Sequence, residues 1–191
     1  MRVIAGKFRS RPLHSAPGRA LRPTADRLRE TLFNVLTAGN PTALEGTVWI
    51  DLYAGTGAVG IEAISRGAGM VYFVDASASA ADLIRRNLHS LDVTAGFEVM
   101  KQDAVRALHA IELKGVSADF VFLDPPYELI EEYRAALNAL SRSTLLKPES
   151  IVIAEHLKKF DPGEVFGRLS RYRRLEQGDA ALSFYHGENP R

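Results

Sequence analysis

The chain has 191 residues, 46% of them hydrophobic and 25% charged, with a formal net charge of +1. That is the composition of one globular domain, and no apolar run approaches the ~20 residues that a membrane-spanning helix needs. The chain has no cysteine, which excludes disulfides, thiolate zinc sites, cysteine-ligated iron–sulfur clusters and a covalent Cys nucleophile.

The first segment carries the charge asymmetry. Residues 1–30 hold eight basic side chains (Arg2, Lys7, Arg9, Arg11, Arg19, Arg22, Arg27, Arg29) against two acids, Asp26 and Glu30. Such an excess in a nearly neutral chain points to a polyanionic partner met by one end of the molecule, although a solvated terminus would look the same. Val3, Ile4, Phe8 and Leu13 interleave with the charges, and Pro12, Pro17 and Gly18 punctuate them. The expectation is a β-hairpin or extended arm over residues 1–20, basic on one face, ahead of a domain spanning 21–191. The opening residues lack the apolar stretch of a signal peptide, so a cytoplasmic location is expected. Leu28, Leu32, Val35 and Leu36 then recur at helical spacing, with Thr24 a suitable N-cap and Arg22 and Arg29 expected to reach outward. Asn40-Pro41 ends that segment.

From residue 47 strands and helices alternate. Strands are predicted over Val48–Tyr53, Met70–Asp75, Phe97–Lys101, Phe120–Leu123 and Ser150–Ala154. Helices are predicted after the glycine loop and over Ala80–Leu91, Ala104–Leu113 and Ile130–Leu140. This rhythm argues for a doubly wound α/β fold, a mostly parallel sheet covered on both faces. After residue 160 the rhythm changes. Val165–Leu175 and Ala180–His186 flank Gln177-Gly178-Asp179 without a helix-length connection and read as a terminal antiparallel hairpin.

Between the first strand and its helix lies Asp51-Leu52-Tyr53-Ala54-Gly55-Thr56-Gly57-Ala58-Val59-Gly60. Its glycines allow a tight turn and close approach of backbone N–H groups to a ligand. Asp75 ends the second strand, where a carboxylate can accept both hydroxyls of a ribose. Asp103, or the backbone beside it at Ala104, stands where an adenine amine would lie, although Asp103 serves equally as a helix N-cap. A Gly-x-Gly-x-x-Gly loop followed by an acid also fits a nicotinamide dinucleotide and a dehydrogenase. Asp51 weighs against that reading, because an added negative charge beside the loop does not help a pyrophosphate. It suits the cationic amino-acid part of S-adenosylmethionine. Gly60 reads as a packing glycine, and Glu62 with Arg66 as a surface ion pair of little value. The five histidines, at 14, 89, 109, 156 and 186, show no metal-ligand spacing, and no metal is expected.

Asp124-Pro125-Pro126-Tyr127 follows the fourth strand. The prolines make a rigid loop and leave backbone carbonyls free to meet a ligand. The Asp carboxylate accepts a hydrogen bond from an amine, and the Tyr ring stacks on a flat base. An ordinary Asp-Pro turn is the alternative. In a doubly wound sheet this loop shares an edge with the glycine loop.

These residues resemble one family. The Asp-Pro-Pro-Tyr loop is similar to that of amino-group methyltransferases using S-adenosylmethionine. Arg22-Pro-Thr, Asp26-Arg-Leu-Arg-Glu-Thr-Leu-Phe-Asn34, Asp51-Leu-Tyr-Ala-Gly-Thr-Gly57, Leu123-Asp-Pro-Pro-Tyr127 and Ile153-Ala-Glu-His156 together resemble the bacterial 16S ribosomal RNA (guanine-N2)-methyltransferases of the small subunit. The resemblance implies a seven-stranded Rossmann-like sheet of the class I methyltransferases. It implies methyl transfer to the N2 amine of a guanine in 16S rRNA, within the assembled small subunit or a late precursor. Neither a membrane nor an obligate protein partner is implied. Cofactor contacts are expected from Asp51, Tyr53, Gly55, Thr56, Gly57, Asp75, Asp103 and Ala104. Catalytic contacts are expected from Asp124, Pro125, Pro126 and Tyr127, with the amine held by the Asp124 carboxylate and the Pro125 carbonyl. Phosphate contacts are expected from Lys7, Arg9, Arg11, Arg22, Arg27 and Arg29. Competing readings are an amino-methyltransferase acting on adenine or a protein amide, a dehydrogenase, and a non-catalytic RNA-binding factor.

Overall fold

Both faces of the central strands are apolar, and both are covered. A computed structural model describes residues 1–15 and 23–187, without the side chains of residues 23–25. The elements run α1 (Pro23–Leu36), β1 (Val48–Leu52), α2 (Ala58–Ser65), β2 (Met70–Asp75), α3 (Ala78–Ser90), β3 (Phe97–Lys101), α4 (Ala104–Glu112), β4 (Ala118–Leu123), α5 (Ile130–Arg142), β5 (Leu146–Leu157), β6 (Val165–Phe166), β7 (Leu169–Gln177) and β8 (Ala180–Gly187). They form one sheet in the order β3-β2-β1-β4-β5-β8-β7-β6. The pairs among β1 to β5 are parallel, and β8, β7 and β6 add antiparallel.

The doubly wound sheet and its terminal hairpin are as predicted, with one strand more than the seven implied. The segment read as a single strand from Val165 to Leu175 divides at Gly167, whose φ is 53°. A Cβ there would stand 2.9 Å from the Ser141 hydroxyl oxygen, so the break needs glycine. The two residues before it become β6.

Alternation along each strand sorts the core into two layers. Ile50, Leu52, Val121, Leu123, Val152 and Ala154 pack with Leu108 and Ile111 of α4 and Tyr133 and Leu137 of α5. Trp49, Phe73, Phe122 and Ile153 face the other way, against Leu28 and Phe33 of α1, Ile61 of α2 and Ile84 of α3. Trp49 is fully buried between Phe33, 5.4 Å away, and Phe120, 5.1 Å away; each such pair contributes about 0.5–1.5 kcal/mol beyond area burial.

The first residues join the second layer. The Val3 N–H donates to Arg11 O at 3.0 Å and the Leu13 N–H to Met1 O at 3.0 Å, closing a hairpin with a bridge between Arg2 and Pro12. Val3, Phe8 and Leu13 are buried. The hairpin is held to α2 through Glu62, whose oxygens accept the Ile4 N–H at 2.8 Å and the Ala5 N–H at 2.9 Å. Glu62 is fully buried and pairs with Arg66 at 2.9 Å. The surface ion pair expected from helical spacing is therefore an internal clamp. The i,i+4 spacing is the same for both, and only the docked hairpin removes Glu62 from water.

Candidate active site

Strand register assembles the site. In the parallel sheet Leu52 of β1 pairs with Val74 of β2 on one side and with Leu123 of β4 on the other, and Leu123 pairs with Ala154 of β5. The next residues, Asp75, Tyr53, Asp124 and Glu155, therefore stand side by side along one edge, Asp75 at the end of β2, Tyr53 and Asp124 just past their strands and Glu155 still within β5. β1 and β4 are parallel neighbours from which the strand order runs outward in opposite senses, to β3 on one side and to β5 on the other, and in open α/β sheets ligands bind at that switch point. A separate concavity of about 470 Å³, bordered by Gly6, Thr37, Glu45 and Arg66, lies at the opposite end of β1 and shares none of these groups.

The loop after β1 is tightly wound. Gly55 and Gly57 have φ of 55° and 77°, and Tyr53 has φ 60°. A left-handed aromatic residue is strained, by about 1–3 kcal/mol, and such strain clusters where ligands are held. The Tyr53 hydroxyl, donating to Glu132 of α5 at 2.7 Å, ties this loop to the helix that follows the Asp124 loop. Gly57 caps α2, and Gly60 packs α2 onto the sheet, since a Cβ there would come within 2.3 Å of the Phe73 ring. The Thr56 carbonyl accepts from the Asn87 amide at 2.9 Å, and its hydroxyl lies 3.4 Å from the Met1 sulfur. The docked hairpin thus reaches the rim of the site.

Asp51 is placed differently from expectation. It is buried behind the loop, with Oδ2 accepting the Gly60 N–H at 2.9 Å. Burial, opposed by that hydrogen bond and reinforced by Asp124 and Asp75, pushes its carboxyl up to about 7. Asp75 is half-buried and ordered by the Gly55 N–H on Oδ2 and the Ser77 N–H on Oδ1, both at 2.9 Å. Each oxygen keeps a further acceptor position. Asp103 caps α4 by accepting the Arg106 N–H at 3.0 Å, and Ala104 is buried in the first turn behind it. Two carboxylates around a glycine cradle fit a ligand that is cationic and carries hydroxyls better than one that is a pyrophosphate. The residues therefore fit S-adenosylmethionine.

The Asp-Pro-Pro-Tyr loop is fastened from below. Tyr133 of α5 donates to Glu155 O at 2.9 Å and lies 3.3 Å from Pro125 O. The Pro125 carbonyl, expected to face a substrate amine, is thus turned toward a buried tyrosine, and Pro125 itself is buried. Its proline constraint sets the loop's shape, and the buried Tyr133 selects where the carbonyl points. Tyr133 itself has its phenol pushed upward by burial and then by Asp124. Pro126 is exposed and accepts the Leu129 N–H at 2.8 Å.

Glu155, quoted above only as part of Ile153-Ala-Glu-His156, is the residue to which sequence reasoning assigned no role. Its carboxylate takes a hydrogen bond from Tyr127, and burial, with Asp124 beside it, holds its pKa well above the ordinary range. Some of its surface still meets solvent, so it borders the site rather than the core. The signal available was its position at the end of a predicted strand, two residues beyond Ile153.

The basic residues separate into three groups. Lys7, Arg9 and Arg11 are exposed on the hairpin and Arg27 on α1; Arg11 also donates to Ser90 O at 2.6 Å. Arg29, expected to hold phosphate, is buried. It donates to Arg2 O at 2.6 Å and Asp26 at 3.1 Å and lies 3.9 Å from Glu62. Two residues along a helix from Arg27, it faces the opposite way. Arg22 lies outside the described residues. Thr24 lies inside α1, one residue past its start at Pro23, rather than at its cap.

The family model for conserved hypothetical protein 95 matches residues 1–186. Ribosomal RNA small subunit methyltransferase D of Escherichia coli strain K12 is 32% identical over 192 residues, covering 98% of this chain and 90% of that protein. YlbH of Bacillus subtilis strain 168 is 34% identical over 185 residues, covering 97% and 98%. Among solved structures, yhhF from Escherichia coli superposes with a TM-score of 0.80 at 31% identity, covering 100% of this chain and 99% of that one.

Proposed function

The chain belongs to the family described as conserved hypothetical protein 95, and from that membership and its site we propose that it transfers a methyl group from S-adenosylmethionine to the N2 amine of a guanine in 16S rRNA. The observation that carries the reading is the pairing of Leu52 with Leu123, which sets a cofactor-type glycine loop beside an amine-type Asp-Pro-Pro-Tyr loop. The name of the Escherichia coli relative, a ribosomal RNA small subunit methyltransferase, supports rRNA as the substrate class. The exposed Lys7, Arg9 and Arg27 supply phosphate-binding charge. The small ribosomal subunit or a late precursor is the physiological form of the substrate, and the cytoplasm is where it is met.

When bound, S-adenosylmethionine supplies a methyl already activated on a sulfonium. Asp75 accepts the ribose hydroxyls, and the buried Asp51 gives the cradle a negative field favourable to a cation. Asp124 accepts a hydrogen bond from the exocyclic amine. That contact turns the nitrogen lone pair, otherwise delocalised into the ring, toward the methyl, and stabilises positive charge as it develops on nitrogen. Tyr127 stacks on the base, which leaves its helix or loop to reach the pocket. Alignment of the two reacting centres contributes much of the rate, on the order of 7 kcal/mol. The proton leaving the methylated amine is acidic, so no strong base is required.

Tritiated methyl transfer to small subunits lacking the modification, followed by mapping of the labelled nucleotide, tests the reading. Label on N2 of one guanine in 16S rRNA is expected; label on adenine, on protein or on no acceptor refutes it. Asp124→Ala is expected to bind cofactor normally and to lose transfer by about 100-fold or more.

A further inference from the structure

Glu155 stands one strand from Asp124, on the same face of the sheet. Leu123 pairs with Ala154 in a parallel ladder, so the residues after them sit abreast, about 5 Å apart along the hydrogen-bonding direction. Phe122 and Ile153, two residues back on each strand, both face the layer of α1 to α3, and Asp124 and Glu155 share that orientation by the period of two. The backbone of Glu155 is tied to the Asp-Pro-Pro-Tyr loop through the Tyr133 hydroxyl, 2.9 Å from Glu155 O and 3.3 Å from Pro125 O. Its carboxylate takes the side-chain hydrogen bond of Tyr127 and feels the buried Arg29 of α1. A tyrosine on a loop rotates freely about two side-chain bonds. Anchored at its hydroxyl by a carboxylate on a rigid strand, the ring loses its swing about Cα–Cβ, so its place beside Asp124 is set before any base arrives.

We propose that Glu155 is a positioning residue of the active site: through the Tyr127 hydroxyl it pre-sets the ring on which the target base stacks. It touches neither the amine nor the methyl. This rests on the assignment of the Asp124 loop as the catalytic loop. Burial beside Asp124 holds Glu155 well above the usual carboxylate range, and either protonation state leaves it an oxygen that accepts from Tyr127.

The test is a double-mutant cycle on methyl transfer to unmodified small ribosomal subunits, with tritiated S-adenosylmethionine and full-length protein. Tyr127→Phe and Glu155→Ala are each expected to raise KM for the subunit by about 10-fold, within the range for coupled neighbours. Because both remove one contact, the double variant is expected to be no worse than about 2-fold beyond the weaker single. Glu155→Gln keeps an acceptor and is expected to recover most of the loss. Calorimetric affinity for S-adenosylmethionine is expected to stay within about 2-fold in all of them. Losses that multiply in the double variant, or a glutamine variant as impaired as the alanine one, overturn the positioning role. Glu155→Gln decides the matter if Glu155→Ala does not fold. Asp124→Ala in the same assay separates the two levels. If it remains active the catalytic assignment of the loop has failed; if it is inactive while the cycle multiplies, only the role of Glu155 has failed.

Discussion

Asp51→Asn should stabilise the protein in alkaline solution and weaken cofactor binding in the same step. The folded protein holds the Asp51 carboxyl at about 7, against an ordinary value of 3.8, chiefly by burial. A carboxyl whose folded pKa is raised contributes its full share of stability below the unfolded pKa. That share is lost as pH rises through the folded pKa, at about 1.4 kcal/mol per pH unit. Between about pH 4 and pH 8 the native protein therefore loses about 4 kcal/mol through this group. Asparagine is nearly isosteric, keeps an oxygen for the Gly60 N–H and does not ionise. The stability difference between variant and native protein should thus move by about 4 kcal/mol toward the variant over that range, and stay flat above pH 8. Urea unfolding at half-unit pH steps measures it, and other titrating groups largely cancel in the difference. A cation in the cradle favours ionised Asp51, so S-adenosylmethionine affinity of the native protein should rise with pH up to about 7, and that rise should vanish in the variant. A stability difference independent of pH would refute the claim that Asp51 is neutral in mildly acidic solution.

Glu62→Ala removes the acceptor for Ile4, Ala5 and Arg66 and leaves Arg29 without its second carboxylate. Loss of about 3–5 kcal/mol is expected, read by urea unfolding, with the hairpin of residues 1–13 becoming the first site of limited proteolysis. Gly60→Ala drives a methyl against the buried Phe73 ring at 2.3 Å, and a loss of about 1–3 kcal/mol is expected; an unchanged melting temperature would contradict the close packing of α2 on β2. Deleting the first residues is a poor probe of RNA contact, because Val3, Phe8 and Leu13 are core residues. Lys7→Ala with Arg9→Ala keeps the core intact. It should lower the slope of log affinity against log salt by about 0.7–0.9 per phosphate contact removed, measured by filter binding to small subunits.

Much of the fold was legible because it rests on local periodicity. The bounds of Met70–Asp75 and Phe97–Lys101 agree with their predicted ranges, since runs of β-branched and aromatic residues bounded by turn residues have few alternatives. β5 begins at Leu146; its predicted start is Ser150, because Lys147, Pro148 and Glu149 interrupt the apolar pattern. The two loops of the site were legible as motifs, and the sheet edge they share followed from the doubly wound topology. Which way each side chain in them points was not. Arg27 and Arg29 are the same residue type two positions apart; one is exposed and the other lies among Asp26, Glu62 and Arg2 O.

By itself, then, the amino-acid order determined the alternation of elements, the two loops on one sheet edge and the charge of the first thirty residues, because each depends on neighbours within a few positions. The tertiary structure alone decided that Glu155 stands beside Asp124, that Asp51 is buried behind its loop, that the Pro125 carbonyl meets Tyr133, and that Glu62 clamps the hairpin. Those outcomes depend on register between strands and on which surfaces meet, and burial set by distant segments is what changes a carboxylate from a surface charge into a structural or catalytic group.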